Sequence, residues 1–301
     1  MAPAAPARTG RPFGLGDVFA LTTVVLWGAS FAVIKSAYDE LTPLAFAAVR
    51  FVLASAALAL VVAALRQPLR VARGDVPRTV VVGLCHVGLY QIFFGLGLKD
   101  TTASNSVLII NTSPVITTLL VWATGAERLT GRQVVGIGLA ALGVAVLVDA
   151  SGHLSRLHLR GDLLTLLAAW SYGVTPVMIF PLYRRYSTLT VMAVSMSAGT
   201  VLLLLAGAPE LARQSWALSP AAWSALLYAA LGAGTLGYLC WYEGIRRLGP
   251  TRATAYSYLM PVVGVVAAVL GLRESFGLQQ LAGAVVILAG VALARWPAPH
   301  R

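Results

Sequence analysis

The sequence has 301 residues, of which 58% are hydrophobic and only 11% charged, and its formal net charge is +11. Soluble domains carry about 25% charged residues, so this composition excludes an ordinary soluble protein and indicates an integral membrane protein. The positive charge does not indicate nucleic-acid binding, because the Lys and Arg residues lie mainly in short segments between apolar runs, where they set membrane orientation.

The apolar runs predict an all-α membrane protein with ten transmembrane helices. A helix that crosses the hydrocarbon core needs about 20 predominantly apolar residues. The runs do not alternate between apolar and polar residues, which excludes the strands of a membrane β-barrel. The loops between them are short and leave no room for a soluble domain. The predicted helices lie at roughly 16–36, 43–65, 79–98, 102–124, 131–149, 161–182, 188–207, 221–245, 251–272 and 277–296.

The distribution of Lys and Arg predicts the orientation of these helices. One set of alternate loops, together with both termini, carries 15 of these residues, and the other set carries 6. The more positive side of a membrane protein faces the cytoplasm. We therefore predict that both termini are cytoplasmic and that residues 1–15 form a cytoplasmic tail. The two cysteines lie inside apolar runs, at a spacing that indicates neither a metal site nor a redox pair.

The second half of the sequence repeats the first at an offset of 147 residues. Chance matches among many glycines are common, but a gapless set that includes a proline and a glutamate indicates an internal duplication. We predict one repeat at 16–149 and another at 161–296. Five helices is an odd number, so the two copies would be inverted in the membrane, as in transporters that work by alternating access. The matched pairs are Gly97 and Gly244, Pro114 and Pro261, Glu127 and Glu274, Gln133 and Gln280, Gly136 and Gly283, and Gly143 and Gly290.

Several stretches resemble the EamA family of the drug/metabolite transporter superfamily. They include LWGASFAVIK, GLKDTTASNSVLIINTSPV, WYEGIRRLGPTRATAYSYLMPVVG and LRESFGLQQLAGAVVILAGV. The similarity extends over roughly residues 16–296. It implies two inverted five-helix repeats, a multi-pass protein of the bacterial inner membrane with cytoplasmic termini, and export of small metabolites, commonly amino acids or related compounds. It does not name one substrate.

Two prolines at matching depths predict bends in the fourth and ninth helices. Pro114 and Pro261 each lack a backbone N–H, which interrupts the helix one turn earlier. In lipid, the freed carbonyl must be satisfied by protein or by cavity water. We therefore predict bends that line a substrate cavity, although prolines that only shape packing remain an alternative. Asn111 lies one turn before Pro114 and is a candidate for hydrogen bonding to substrate or to another helix.

Aromatic and polar residues within the predicted helices supply the other candidate binding residues. Deep aromatic side chains suit an aromatic, apolar or cationic solute, whereas aromatics at the interface only anchor helices. A histidine could relay protons, but it could equally be a hydrogen-bonded packing residue. The full set of candidates is Trp27, His86, Tyr90, Asn111, Trp170, Tyr172, Tyr238, Trp241 and Tyr258.

Arg50 is the one charge placed well inside a predicted helix. A charge at the centre of a bilayer costs about 3 kcal/mol on insertion scales, so the side chain should face protein or water. It could bind a substrate carboxylate, satisfy freed backbone carbonyls, or extend towards the interface. The sequence favours the structural role.

The function predicted from the sequence is secondary transport, with export of a small metabolite as the specific form. A membrane-embedded enzyme needs clustered acids, histidines or a nucleophile with its base, and a nucleotide-driven pump needs a phosphate loop. None of these patterns is present in the sequence. The alternatives are a membrane enzyme, a channel or a receptor. We predict no cofactor and no metal. The expected partners are a small-molecule substrate and the lipid bilayer, without nucleic acid, in a monomer or homodimer. Substrate identity, proton coupling and net direction stay open.

Overall fold

A computed structural model describes residues 13–123, 130–150, 156–248 and 256–294. Within these ranges the chain contains helices, turns and loops, and no strand. The helices are α1 Leu15–Ala37, α2 Pro43–Ala64, α3 Arg73–Asp100, α4 Ala103–Ile110, α5 Ser113–Ala123, α6 Gly131–Ala150, α7 Arg156–Tyr183, α8 Thr188–Arg213, α9 Pro220–Leu248, α10 Met260–Leu272 and α11 Leu278–Ala294.

Seven helical stretches among the described residues are long and apolar enough to cross a membrane. They are α1, α2, α3, the α4–α5 stretch from Ala103 to Leu120, α7, α8 and α9. Three shorter apolar helices, α6, α10 and α11, occupy the remaining positions where the sequence predicts spans. The prediction of an all-helical membrane protein is therefore confirmed, and the chain is a multi-pass membrane protein.

The helix predicted over 102–124 is broken in two. α4 ends at Ile110, Asn111 and Thr112 form a turn, and α5 begins at Ser113. Pro114 lies at the start of α5, where its missing N–H interrupts no hydrogen bond of that helix. Pro261 has the same place at the start of α10, after a 3-10 turn at Ser257–Leu259. The two prolines therefore predicted the positions of both helix interruptions, but not that the helix ends and restarts at Asn111 and Thr112.

Two helices contain a π-helical segment that the sequence did not predict. The first covers Leu84–Leu89 within α3 and the second covers Tyr228–Leu236 within α9. A π-helical segment shifts backbone hydrogen bonding by one residue, and such segments are frequent at functional sites. Both segments lie beside the cavities described below.

Contacts between helices from the two halves occur in matching pairs. A Cβ atom built on Gly143 would lie 2.9 Å from the carbonyl oxygen of Gly283, and one on Gly290 would lie 2.7 Å from that of Gly136. Moving each residue of one contact by 147 positions gives the residues of the other contact. The absence of side chains at these glycines allows α6 and α11 to approach closely along their length.

A second matching pair joins the helices at the centre of the bundle. A Cβ on Gly28 of α1 would lie 3.0 Å from the carbonyl oxygen of Met260, and one on Gly173 of α7 would lie 2.9 Å from that of Ser113. α1 therefore packs against the start of α10 as α7 packs against the start of α5. The two interrupted helices are held at equivalent positions by equivalent glycines.

Candidate functional site

An inner cavity of about 170 Å³ lies where the two interrupted helices meet α1, α2, α3, α7 and α9. Its wall is mostly apolar and aromatic, with a few polar side chains, a composition typical of small-molecule sites. The polar members are Ser30, Arg50, Gln91, Asn111, Ser113 and Ser257. Pro114 lies in the same wall, next to the turn that separates α4 from α5. The break in the helix therefore shapes the cavity.

A second cavity, of about 290 Å³, shares four wall residues with the first: Trp27, Tyr172, Tyr238 and Trp241. It continues along α7 and α9 as far as Tyr183 and Ile245. These residues lie near the end of the bundle at which α1 begins, because Gly16 packs against Leu248. The second cavity therefore lies between the inner cavity and this end of the bundle.

The opposite end of the bundle is held together by polar contacts. The ammonium of Lys35 donates to the carbonyl oxygens of Leu98 and Thr101. The carboxylate of Glu274 accepts from the backbone N–H groups of Ala103 and Ser104, at 2.7 and 3.0 Å, and so caps the start of α4. A carboxylate at a helix N-terminus is favourable because it satisfies unpaired N–H groups there. These contacts close the bundle at the end away from the second cavity.

Six aromatic or imidazole rings in the walls of the two cavities form a connected cluster, in which the rings of His86 and Tyr238, 6.1 Å apart, join two groups of three. The ring centroid of Trp27 lies 5.1 Å from that of Tyr238 and 5.7 Å from that of Trp241. The rings of His86 and Tyr90 approach that of Tyr172 to 5.2 and 5.4 Å. Such separations are typical of favourable tilted and edge-to-face pairs. The cluster offers ring faces to an apolar or aromatic solute.

Carbonyl groups of the π-helical segment in α9 hold two cavity side chains in place. Nε1 of Trp27 donates to the carbonyl oxygen of Ala233 at 2.9 Å. Nε of Arg50 donates to the carbonyl oxygen of Ala229 at 3.1 Å. The irregular backbone thus fixes α1 and α2 to α9, and it sets the orientation of both side chains. The sequence favoured such a structural role for Arg50.

His86 lies in the π-helical segment of α3, in the wall of the second cavity. Its Nε2 atom is 3.3 Å from the hydroxyl oxygen of Tyr238, and its Nδ1 atom is buried without a hydrogen-bond partner among the described residues. The histidine therefore joins α3 to α9 through a single side-chain contact.

The structure brings seven of the nine candidate residues together around the two cavities: Trp27, His86, Tyr90, Asn111, Tyr172, Tyr238 and Trp241. Trp170 is 43% exposed and lines neither cavity. Positions two residues apart on a helix are separated by about 200°, so the orientation of Tyr172 into the bundle turns Trp170 away from it. The side chain of Tyr258 lies outside the described part of the structure. Pro261 is buried at the start of α10 and lines neither cavity.

Several wall residues were missed at the sequence level although a signal for them was present. Trp27, Ser30, Phe31 and Ile34 follow the i, i+3, i+4, i+7 pattern of one helix face, and all four line the inner cavity. Following the helix face that carries Trp27 would have identified the other three residues. Gln91 and Phe94 lie on the same side of α3 as Tyr90 and likewise line the inner cavity.

The chain is similar to known proteins along most of its length. The model of the EamA-like transporter family matches residues 14–149 and again residues 159–296. A "Probable amino-acid metabolite efflux pump" of Salmonella typhimurium is 31% identical, with 90% of this chain and 92% of that protein covered. A "Probable terminal-alkyne amino-acid exporter" of Streptantibioticus cattleyicolor is 32% identical, with 90% of each chain covered. A solved structure of 20% identity covers 93% of this chain and 96% of its own, with a TM-score of 0.67, and shows the same fold.

Proposed function

We propose that this chain, which belongs to the EamA-like transporter family, is a secondary transporter that exports small amino-acid-like metabolites by alternating access. Its family and its membrane helices make it a membrane transporter; the mode of transport and the kind of substrate are the proposed part. The relatives named above are described as a "Probable amino-acid metabolite efflux pump" and a "Probable terminal-alkyne amino-acid exporter", and these descriptions support the substrate class.

The proposed architecture is ten membrane crossings in two inverted repeats, at 16–149 and 161–296. The double match of the family model supports it, since the two matched ranges nearly coincide with these repeats. The exchanged contacts of Gly143 and Gly290, and of Gly28 and Gly173, support a two-fold relation between the halves. In such transporters the substrate site lies near the middle of the membrane between the repeats.

The observation that carries the proposal is the position of the inner cavity. Its wall takes residues from both halves of the chain, from Trp27 to Pro114 on one side and from Tyr172 to Met260 on the other. A solute held there touches both repeats, so movement of one repeat against the other changes which end of the bundle is open. The position of the second cavity towards the start of α1 and the contacts of Lys35 and Glu274 at the other end support an inward-facing state, with the start of α1 at the cytoplasm.

The proposed location is the bacterial inner membrane, with both termini cytoplasmic and residues 1–15 as a cytoplasmic tail. The excess of Lys and Arg on that side supports this orientation. The proposed oligomeric state is a monomer or a homodimer. The position of the cavity within one chain is compatible with transport by a single copy.

A transport assay tests the proposal directly. Purified protein in liposomes is given radiolabelled leucine, methionine, phenylalanine and glutamate, with and without a pH gradient. We expect concentration-dependent, saturable movement of at least one of the apolar amino acids, and the gradient shows whether protons are coupled. Movement no faster than in protein-free liposomes for every solute would contradict the proposed function.

A further inference from the structure

Arg50 is a charged side chain built into the wall of the inner cavity. It is the eighth of the 22 residues of α2, is 7% exposed, and lines the cavity together with Tyr90, Gln91 and Tyr238. A guanidinium keeps its charge inside a protein, where other basic side chains lose theirs. The cavity therefore has a permanent positive charge in a region of low polarity.

The hydrogen bonds of Arg50 use only part of its donor capacity. Nε donates to the carbonyl oxygen of Ala229, and the guanidinium carbon lies 5.1 Å from the ring centroid of Phe51. The two terminal nitrogens have no acceptor among the described residues. These nitrogens also keep some exposed surface, because the fully buried side-chain atoms without a partner in the described part of the chain belong to His86, Asn105 and Asp162. Arg50 lines the inner cavity. A guanidinium edge with free N–H groups is therefore presented to the cavity.

No described protein carboxylate balances this charge. The ionisable side chains close enough to affect the charge of Arg50 are Tyr38, Tyr90, Tyr228 and Tyr238, which are uncharged near pH 7. The described walls of the two cavities contain no aspartate or glutamate. An unpaired charge away from water is unfavourable, so an anionic group brought to this edge gains both charge pairing and hydrogen bonds.

We propose that Arg50 binds the carboxylate of the transported solute, and that the site recognises this carboxylate rather than an amino group. The proposal rests on the proposed transport function. The guanidinium edge matches a carboxylate with two parallel hydrogen bonds, and the aromatic cluster around Trp27 and Tyr172 accepts the apolar remainder. An ammonium group would find ring faces and carbonyls in this cavity but no described acid. The solute class is therefore small apolar carboxylic acids, with or without an α-amino group.

Three compounds with the same side chain separate these groups. Phenylalanine has both charges, 3-phenylpropanoate has only the carboxylate, and 2-phenylethylamine has only the ammonium. Binding to the purified protein in detergent is followed by the fluorescence of its tryptophans, two of which, Trp27 and Trp241, line the cavity, and by isothermal titration calorimetry. We expect the Kd of 3-phenylpropanoate to lie within about threefold of that of phenylalanine. The Kd of 2-phenylethylamine should be higher by about thirtyfold or more, because a charge-assisted pair is lost.

Two substitutions test the role of Arg50 itself. Arg50→Lys keeps the charge but loses the parallel hydrogen bonds, and we expect binding of 3-phenylpropanoate to weaken about tenfold. Arg50→Gln removes the charge, and we expect a loss of about thirtyfold or more. Binding of 2-phenylethylamine should change less than about threefold in Arg50→Lys. In Arg50→Gln it should not weaken and should become tighter, because a like charge is removed from the site. Retained binding of the amine in both variants shows that the cavity is intact. Gel filtration and thermal unfolding identify a variant that fails to fold, and the comparison of the three compounds on the wild type then decides alone.

Several outcomes would overturn the inference. They are equal binding of amine and acid, no binding of either carboxylate, or wild-type affinity for the acid in a folded Arg50→Gln protein. Failure of the transport proposal looks different: carboxylates bind in an Arg50-dependent manner, but no solute crosses the liposome membrane. Transport of amines with no effect of Arg50 leaves the transport function standing and removes this inference.

Discussion

Gly143 and Gly290 lie in equivalent contacts on opposite sides of one helix pair. A Cβ on Gly143 would be 2.6 Å from the backbone nitrogen of Ile287, and one on Gly290 would be 2.4 Å from that of Ala140. The contacted residues, like the glycines, are 147 positions apart. The relation means that neither glycine can accept a side chain without separating α6 from α11, because the obstacle in each case is backbone.

Gly143→Ala should lower the free energy of unfolding by about 1–3 kcal/mol, because the added methyl group meets backbone atoms that cannot rotate away. Gly138→Ala in the same helix is the matched control, since a Cβ there has nothing within 4 Å. The control should be neutral or stabilising by up to about 1 kcal/mol, because alanine favours helix more than glycine does. Thermal and denaturant unfolding in detergent micelles measure both; equal effects of the two substitutions would contradict the close packing of α6 on α11.

The aromatic wall gives a prediction for binding. Trp241→Ala should weaken the binding of a transported amino acid at least about tenfold, because it removes a ring face and apolar area from both cavities. Trp170→Ala is the control, since Trp170 is 43% exposed and lines neither cavity. The KM of transport in liposomes compares them. The site assignment is wrong if the two substitutions have the same effect, or if Trp241→Ala leaves transport of every solute unchanged.

The loop between α1 and α2 should make stability depend on pH. The backbone N–H of Ser219 donates to the Glu40 carboxylate at 2.7 Å, and so does the Ser219 hydroxyl. These hydrogen bonds lower the pKa of Glu40 below its usual value. Because the folded pKa is below the unfolded one, the stabilisation is present above the unfolded pKa of about 4.3 and is lost as the pH falls through the lowered folded value.

Glu40→Gln should therefore have a lower unfolding temperature than the wild type at pH 7. The difference should begin to shrink as the pH falls below about 4.3 and should disappear once the pH is below the lowered pKa of Glu40 in the folded protein. The effect should be small, because Glu40 is exposed to solvent. Asp39→Asn, which changes the adjacent exposed carboxylate, serves as the control. A difference between wild type and Glu40→Gln that persists or grows as the pH falls through this range would contradict the hydrogen bonds to Ser219.

Helix positions and the duplication were predictable because they depend on long-range averages of the sequence. An apolar run of 20 residues and a gapless offset survive local irregularity, and Pro114 and Pro261 marked the two interruptions. Details that depend on one or two residues were not predictable. Apolar composition does not distinguish a π-helical segment such as Leu84–Leu89 from an α-helix, and it does not say which face of a helix is turned inward.

Trp170 and Arg50 illustrate this limit. A rotation of about 200° separates Trp170 from Tyr172, and only the packing of α7 shows which of them faces the cavity. The sequence favoured a structural role for Arg50, and the bond of its Nε to the Ala229 carbonyl fits that interpretation. Only the structure shows that its terminal nitrogens are left for another acceptor.

Thiol accessibility tests most directly whether one cavity is reached from both sides of the membrane in turn. In a background without Cys85 and Cys240, Ser30→Cys places a thiol in the wall of the inner cavity, and Ser106→Cys places one at a fully buried control position outside it. A membrane-impermeant thiol reagent is applied to right-side-out and to inside-out vesicles. We predict that the thiol in the cavity wall reacts from both faces and that the control thiol reacts from neither. Reaction of the cavity thiol from one face only, with transported solute present on either side, would contradict alternating access.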